Sequence, residues 1–358
     1  MNKAHFMAGL IACVLVLGCT SSTNKTGRWS EERATEWYAE LPWMAGCDYI
    51  PASAINQIEM WSDSTWDAPQ IEKELSWAQQ LGFTTLRVYL SSVVWTNDSV
   101  GMKQRMNVFL DICQKHGIRP LFVFFDDCWN AESHYGTQPK PQPGIHNSGW
   151  VQDPSVSLRG DTTKLYPSLK AYVQDILVTF KDDKRILMWD LYNEPGNSKH
   201  GNESLPLVKK VFDWAREVNP SQPLTIGVWD PKLKELNELQ LAQSDVISFH
   251  CYGTPADMQA CIDSLKVHGR PLVCTEYMAR KNGSTFQTVM PVLKRNHVIA
   301  INWGFVAGKT NTIYAWDTPV PDGSEPELWF HDIYRQDGTP FSQEEIDTIR
   351  SLTHPETP

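Results

Sequence analysis

The chain lacks the motifs that mark several common enzyme chemistries. No G-x-S-x-G turn occurs, which argues against an esterase of the α/β-hydrolase type. No H-E-x-x-H sequence and no Walker loop is present, so neither a zinc-protease helix nor a nucleotide phosphate cradle is written here. No Cys-x-x-Cys pair occurs and the 10 histidines are scattered, which argues against a zinc site. Positive charge is in deficit: 32 Lys and Arg face 42 Asp and Glu, a net charge of −10, so a basic nucleic-acid surface is not expected. The N-terminal apolar run over 6–17 is too short to span a bilayer stably. Beyond an alternation of strand-like and helix-like segments, there is no internal repeat and no low-complexity tract.

Tryptophan, by contrast, is abundant, with 15 residues. An indole offers a flat apolar face and one N–H donor, which suits it to core packing and to stacking on sugar rings. The N-terminal run, preceded by Lys3 and His5, fits a signal-peptide core. Val16-Leu17-Gly18-Cys19 resembles a bacterial lipobox, in which the cysteine is acylated and becomes the first residue. The expected organisation is a signal over 1–19 ending at a lipidated Cys19, a small polar tether over 20–36, and one folded domain over 37–358. Export to the periplasm or outer membrane follows, with the membrane reached through the N-terminal lipid; an ordinary secretory signal cut nearby would export the chain equally. Export permits disulfides, although Cys47, Cys251 and Cys274 lie in apolar runs where buried free thiols are the commoner outcome.

Eight short apolar segments rich in β-branched and aromatic residues read as strands: 43–50, 84–90, 120–126, 187–192, 223–229, 246–252, 271–277 and 298–305. Near-continuous apolar runs are expected of parallel strands covered on both faces. Helical patterns alternate with them at 68–81, 101–116, 165–180, 205–218, 231–242, 255–268 and 284–296, with a last one at 342–351. Asp67, Asp98 or Ser99, and Ser342 stand where N-caps are wanted, and Gly82 and Gly117 where helices end. His116 and His268 close helices, where a cation is favoured, and read as structural. Eight β-then-α units in one chain predict an α/β fold, a closed (β/α)8 TIM barrel. The rival doubly wound sheet would want a Gly-rich phosphate turn after its first strand, and none is present. Two long connections, 127–164 and 306–341, follow the third and eighth strands, on the catalytic face of such a barrel.

Polar groups gather at the C-terminal ends of these apolar strands. Arg87 ends the second, Asn193-Glu194-Pro195 the fourth, His250-Cys251-Tyr252 the sixth and Thr275-Glu276-Tyr277 the seventh, while the eighth passes through Asn302-Trp303-Gly304. Buried carboxylates are costly unless paired or hydrogen-bonded, so two glutamates on different strand ends are hard to explain as packing. Two carboxyl groups with different proton affinities are what glycoside hydrolysis needs: one protonates the leaving oxygen and the other attacks or stabilises the anomeric carbon. Arg87 and Tyr252 would favour ionised Glu276, and an apolar setting would favour protonated Glu194.

The pattern resembles the clan of (β/α)8 retaining glycoside hydrolases with an acid/base on strand four and a nucleophile on strand seven, and is most similar to glycoside hydrolase family 5, the cellulase and mannanase family. The resemblance implies that Glu194 is the acid/base, that Asn193 holds the substrate 2-hydroxyl, and that Glu276 is the nucleophile. It also implies that Arg87 orients Glu276, that His250 and Tyr252 hydrogen-bond around the two carboxylates, and that Trp303 floors the subsite of the cleaved sugar. A β-linked glycan is the implied partner, and no metal or organic cofactor is implied. The chain departs from the family pattern after strand three, where a His is usual: the run reads Phe124-Phe125-Asp126-Asp127-Cys128-Trp129-Asn130, with His134 and His146 only later in the loop. Asp127, Trp129 and Asn130 are therefore the substrate-side candidates there, and Trp150, Trp229 and Trp316 are further possible sugar platforms. A transglycosylase on the same residues, or a glycan-binding lipoprotein without turnover, are the alternatives.

Overall fold

A computed structural model describes residues 27–354. The expected signal, Cys19 and the tether up to residue 26 lie outside the described residues. The strands are β1 (Ala45–Asp48), β2 (Thr85–Tyr89), β3 (Leu121–Asp126), β4 (Trp189–Asn193), β5 (Leu224–Thr225), β6 (Ile247–His250), β7 (Leu272–Glu276) and β8 (Ile299–Asn302). All pairings are parallel, in the order β5-β4-β3-β2-β1-β8-β7-β6. The remaining seam is joined by a parallel bridge between Val228 and Phe249, so the eight strands form a (β/α)8 barrel. Each expected strand is present. The fifth is the shortest, because Ser244 Oγ and Gln240 Nε2 take the backbone groups of Ile226 and Gly227 that a longer strand would pair.

The helices are α1 (Glu31–Ala39), α2 (Gln57–Trp61), α3 (Ala68–Gln80), α4 (Ser92–Lys115), α5 (Thr162–Phe180), α6 (Leu205–Val218), α7 (Lys234–Gln243), α8 (Pro255–Lys266), α9 (Met290–Arg295) and α10 (Gln343–Thr353). Asp67 and Ser342 cap α3 and α10 as expected. Asp98 also caps, accepting from Gly101 N–H at 3.0 Å, but it does so at a kink inside α4, which begins a full two turns earlier at a Ser91 cap. α9 is shorter than expected: Pro291 fits only a first turn, and buried Ser284 is spent on a bond to Met278 N–H.

The N-terminal boundary needs correction. The stretch from Arg28 is not tether but part of the fold. Trp29 is 3 % exposed, its N–H bonds to Asp245, and Ser30 caps α1 by accepting from Arg33 N–H. Trp29, Ala34 and Tyr38 pack with Met44, Leu121, Leu187, Val246, Val273 and Ile299 from the strand starts, plugging the barrel's lower end. Tyr38 Oη donates to the His297 carbonyl at 2.6 Å and accepts from Ile299 N–H. Trp29→Ala should therefore lower unfolding free energy by about 3–5 kcal/mol in denaturant titrations; no change would restore the tether reading.

Candidate active site

One buried cation organises the upper end of the barrel. Arg87, fully buried on β2, donates from Nε to Asp190 at 2.9 Å, from Nη1 to Asp48 at 2.9 Å and Glu276 at 2.8 Å, and from Nη2 to Asn193 at 2.8 Å. A buried guanidinium is tolerated only when its donors are satisfied. Here they are satisfied by carboxylates from β1, β4 and β7, so the group that needs pairing also fixes Glu276 and Asn193.

The two glutamates have different company. Glu276 accepts from Tyr252 Oη at 2.7 Å and Tyr89 Oη at 3.3 Å besides Arg87. Glu194 meets His250 Nδ1 at 2.8 Å, Asn197 Nδ2 at 2.5 Å and the Cys128 thiol at 3.3 Å. His250 also lies 3.4 Å from Glu276. One ligating atom each of Glu194, His250 and Glu276 lies within 4.8 Å of the others. Glu194 has a φ of 41°, a left-handed conformation that a side-chain-bearing residue adopts rarely and that is concentrated at functional sites.

Burial raises both carboxyl groups above their ordinary range. For Glu194 the opposing pulls are hydrogen bonds from Asn197 and Cys128. For Glu276, His250 and Arg87 pull down while Glu194 pushes up. His250 is itself pushed down to about 4 by burial, so at neutral pH it is uncharged and the standing cation beside Glu276 is Arg87. Two close carboxyls titrate as a pair; the member with the guanidinium and two phenol donors is the one that ionises first.

These groups floor a cleft of about 710 Å³. Of the sequence-derived candidates, Glu194, Glu276, Asn193, Tyr252, Trp303, Trp129 and Asn130 line it. Arg87 and His250 lie directly beneath, touching the carboxylates. Trp150, Trp229 and Trp316 also line it; Trp150 is nearly buried and donates to Asp126, whereas Trp316 is 39 % exposed. Asn130 spends its amide on the Ser148 and Trp150 carbonyls, holding its own loop.

Asp127 is a correction. It is fully buried outside the cleft lining and accepts from Arg159, Tyr192, Gly196 N–H and Ser204. It pins the segment after β4 and does not face substrate. Its neighbour Asp126 lines the cleft instead, accepting from Asn193 Nδ2 at 2.9 Å and Trp150 Nε1 at 2.7 Å. Burial pushes Asp126 up to about 7. Sequence reasoning also passed over Asp48, Asp190, Tyr89, Asn197 and Cys128. The first two carried a signal, an acidic residue inside an otherwise apolar strand.

Glu194, His250 and Glu276 form the group whose spacing a divalent ion could bridge. Glu276 already faces Arg87 at ion-pair distance, a resident cation that competes with any metal. The donor set suits two carboxyl groups acting from opposite sides on a molecule between them.

Among curated proteins, no sequence matches the chain. Solved structures share its fold. An endo-β-1,4-mannanase from Thermotoga petrophila aligns with a TM-score of 0.58 at 15% identity, over 88% of this chain and 77% of that one. An exo-β-1,4-mannosidase from an Opitutaceae bacterium, strain TAV5, aligns with a TM-score of 0.60 at 16% identity, over 92% and 62%. A GH5_18 protein from Streptomyces cattleya, in complex with GlcNAc, aligns at 0.59 and 12%, over 88% and 81%. The family model described as cellulase (glycosyl hydrolase family 5) matches residues 50–308, which span β2 to β8 and include Arg87, Asn193, Glu194, His250, Tyr252, Glu276 and Trp303. With that match and the paired glutamates at the ends of β4 and β7, the chain belongs to glycosyl hydrolase family 5 and is a glycoside hydrolase.

Proposed function

We propose that the enzyme cleaves β-glycosidic bonds with retention, by double displacement on Glu276 and Glu194. The observation that carries this reading is the pair itself, with one oxygen of each carboxylate within 4.8 Å of the other and with unequal partners, a closeness that favours the shorter of the two spacings below. Retaining enzymes hold their two carboxyls about 5–5.5 Å apart, whereas inverting ones leave roughly 6.5–9.5 Å for a water. In the first step a Glu276 oxygen bonds to the anomeric carbon, the glycosidic C–O bond breaks, and the Glu194 proton passes to the leaving oxygen. In the second, water attacks the same carbon, its proton goes to Glu194, and the ester to Glu276 breaks. Arg87, Tyr89 and Tyr252 keep Glu276 anionic and aimed, and Trp303 offers an apolar face to the sugar. The transglycosylase and glycan-binding alternatives draw no specific support from the site.

The substrate class is a β-linked glycan or its oligosaccharides. β-1,4-Mannans head the panel, because mannan-acting names recur among the structural neighbours. Reducing-sugar and chromophore release across β-linked polysaccharides and aryl β-glycosides tests the reading. Turnover names the sugar; tight sugar binding without turnover on any member would favour the binding-protein alternative.

Cys128 stands at the strand-three end as a positioning residue. Burial pushes its thiol up, so it stays an S–H donor to Glu194. That bond favours ionised Glu194. Cys128→Ala should move the alkaline limb of the kcat/KM profile to higher pH; an unmoved limb would make the thiol mere packing.

We further propose that the segment ending at Cys19 is an export signal and that Cys19 carries lipid, in the periplasm or outer membrane. Incorporation of labelled fatty acid that disappears in Cys19→Ser would support this, and labelling that persists would exclude it.

A further inference from the structure

We propose that the enzyme removes short units of one size from the non-reducing end of its β-linked chain and does not cut internally. This rests on the two-carboxylate reading above. Its basis is a wall around the cleft. The loop after β3, 127–161, and the loop after β8, 303–342, are stitched together across the β1 side. Asn147 N–H donates to the Thr310 carbonyl at 2.8 Å and Val320 N–H to the Gly144 carbonyl at 3.0 Å. Asn311 Nδ2 donates to Gln142 O at 2.8 Å, and His146 Nδ1 to Tyr314 O at 2.8 Å. The backbones touch at Gly144, where an added Cβ would stand 1.6 Å from the Val320 oxygen. No side chain, and so no sugar, passes between them there.

The wall is anchored at both ends. Toward β1, Lys309 N–H bonds to Ala52 O, and Asn56 Nδ2 to Gly149 O. Toward β7, His331 Nδ1 donates to Met278 O at 2.6 Å, and Trp316 sets its ring edge-on to Tyr252 at 4.8 Å. Behind Trp150 and Trp303 the remaining space is only about 20 Å³, so the cleft ends against these indoles. His146 and Asn147 line this end. His146 Nε2 and both Asn147 amide heteroatoms are buried with no partner, so this end of the cleft is packed shut behind its lining. His146 Nδ1 gives its hydrogen to a carbonyl, so Nε2 is an acceptor.

Across the barrel from β8 and β1, the β4 and β5 loops give the cleft Asn197, Ser198 and Trp229, of which Ser198 is exposed. Among the described residues, no hydrogen bond joins these loops to the β8 loop. Glu194 is carried by that same β4 loop, three residues before Asn197, whereas Glu276 ends β7, the neighbour of β8. The group that Glu194 protonates is the one that leaves, so it departs on the β4 side. The sugar attacked by Glu276 therefore sits on the walled side, and its non-reducing side extends only as far as the wall.

The test uses the oligosaccharide series on which the wild type is active, labelled at the reducing end, beside the same series blocked at the non-reducing terminal sugar. Product sizes are followed over time, for wild type and Glu276→Ala. Expected is a labelled chain shortening by one fixed unit, with the block abolishing release. Products of mixed internal size, or equal turnover of blocked chains, would overturn end-wise action while leaving the two-carboxylate reading intact, provided the activity still depends on Glu276. Turnover surviving in Glu276→Ala would instead refute that reading, whatever the product sizes.

Discussion

Replacing Glu276 with Ala should reduce kcat on the natural glycan by a factor on the order of 10⁴–10⁶, the scale seen when a covalent nucleophile is removed. At about 1.36 kcal/mol per tenfold, that is roughly 5–8 kcal/mol of barrier. The loss should be chemical and not structural. Arg87 keeps Asp48 at 2.9 Å and Asp190 at 2.8 Å as counter-charges, so the buried guanidinium is not stranded. The variant should accordingly unfold at a denaturant concentration near that of the wild type. The vacated space should also admit a small anion: with azide and an aryl β-glycoside bearing a good leaving group, turnover should return and yield the α-glycosyl azide. A variant that stays active without azide would remove Glu276 from the reaction.

Glu194→Ala should separate the two steps. On glycan substrates, whose leaving oxygen needs a proton, kcat/KM should fall by about 10²–10⁴-fold, the usual contribution of a general acid. On dinitrophenyl glycosides, which leave without protonation, formation of the glycosyl-enzyme should be nearly unaffected while its hydrolysis slows, so a burst of phenolate precedes a slow steady state. Azide should then give the β-glycosyl azide, the opposite anomer from the Glu276 variant. The pH profile carries the same assignment. Burial holds Glu194 above the usual carboxyl range, so it keeps its proton at pH values where an ordinary Glu has lost it, and activity falls on the alkaline side as it ionises. Activity falls on the acid side as Glu276 takes up a proton. In Glu194→Ala the alkaline limb should disappear; if it remains with good leaving groups, another group controls it.

The barrel and its two glutamates were legible in the sequence for a simple reason. Parallel strands covered on both faces leave apolar runs, and a charged residue ending such a run stands out. What escaped depended on facing and on distance along the chain. Successive residues of a strand point to opposite sides, and β3 pairs with β4 so that Asp126 stands opposite Asn193. That register turns Asp126 to the cleft and Asp127 to the segment beyond β4, a choice two adjacent aspartates do not reveal by themselves. Asp48 and Asp190 stood out as acids in apolar strands, but that both pair with Arg87 was not legible, because Arg87 lies on a different strand from either. α1 was missed because only Ala34 and Tyr38 of its nine residues are buried, and what holds Tyr38, the Leu272 and His297 carbonyls, lies more than 200 positions away. The long loops were visible by length alone; that they meet and close one end of the cleft is a property of backbone contacts between them.

The absence of a strand-three histidine is matched by a different local chemistry. Cys128 places its sulfur within 3.3–3.4 Å of Glu194, Asn193 and Asn197. A thiol is a weaker and less directional donor than an imidazole N–H, and it does not add a second titrating ring beside His250. Glu194 thus has one histidine, held neutral, and its proton affinity is set by burial and by its Asn197 and Cys128 contacts.

Covalent catalysis by this pair is reported directly by the anomer first released. Proton NMR of an aryl β-glycoside or β-linked oligosaccharide, recorded within the first minutes of hydrolysis and before mutarotation, should show the β-anomer of the product appearing first. First appearance of the α-anomer would mean single displacement by water, and Glu276 would then be the base that activates it and not the nucleophile.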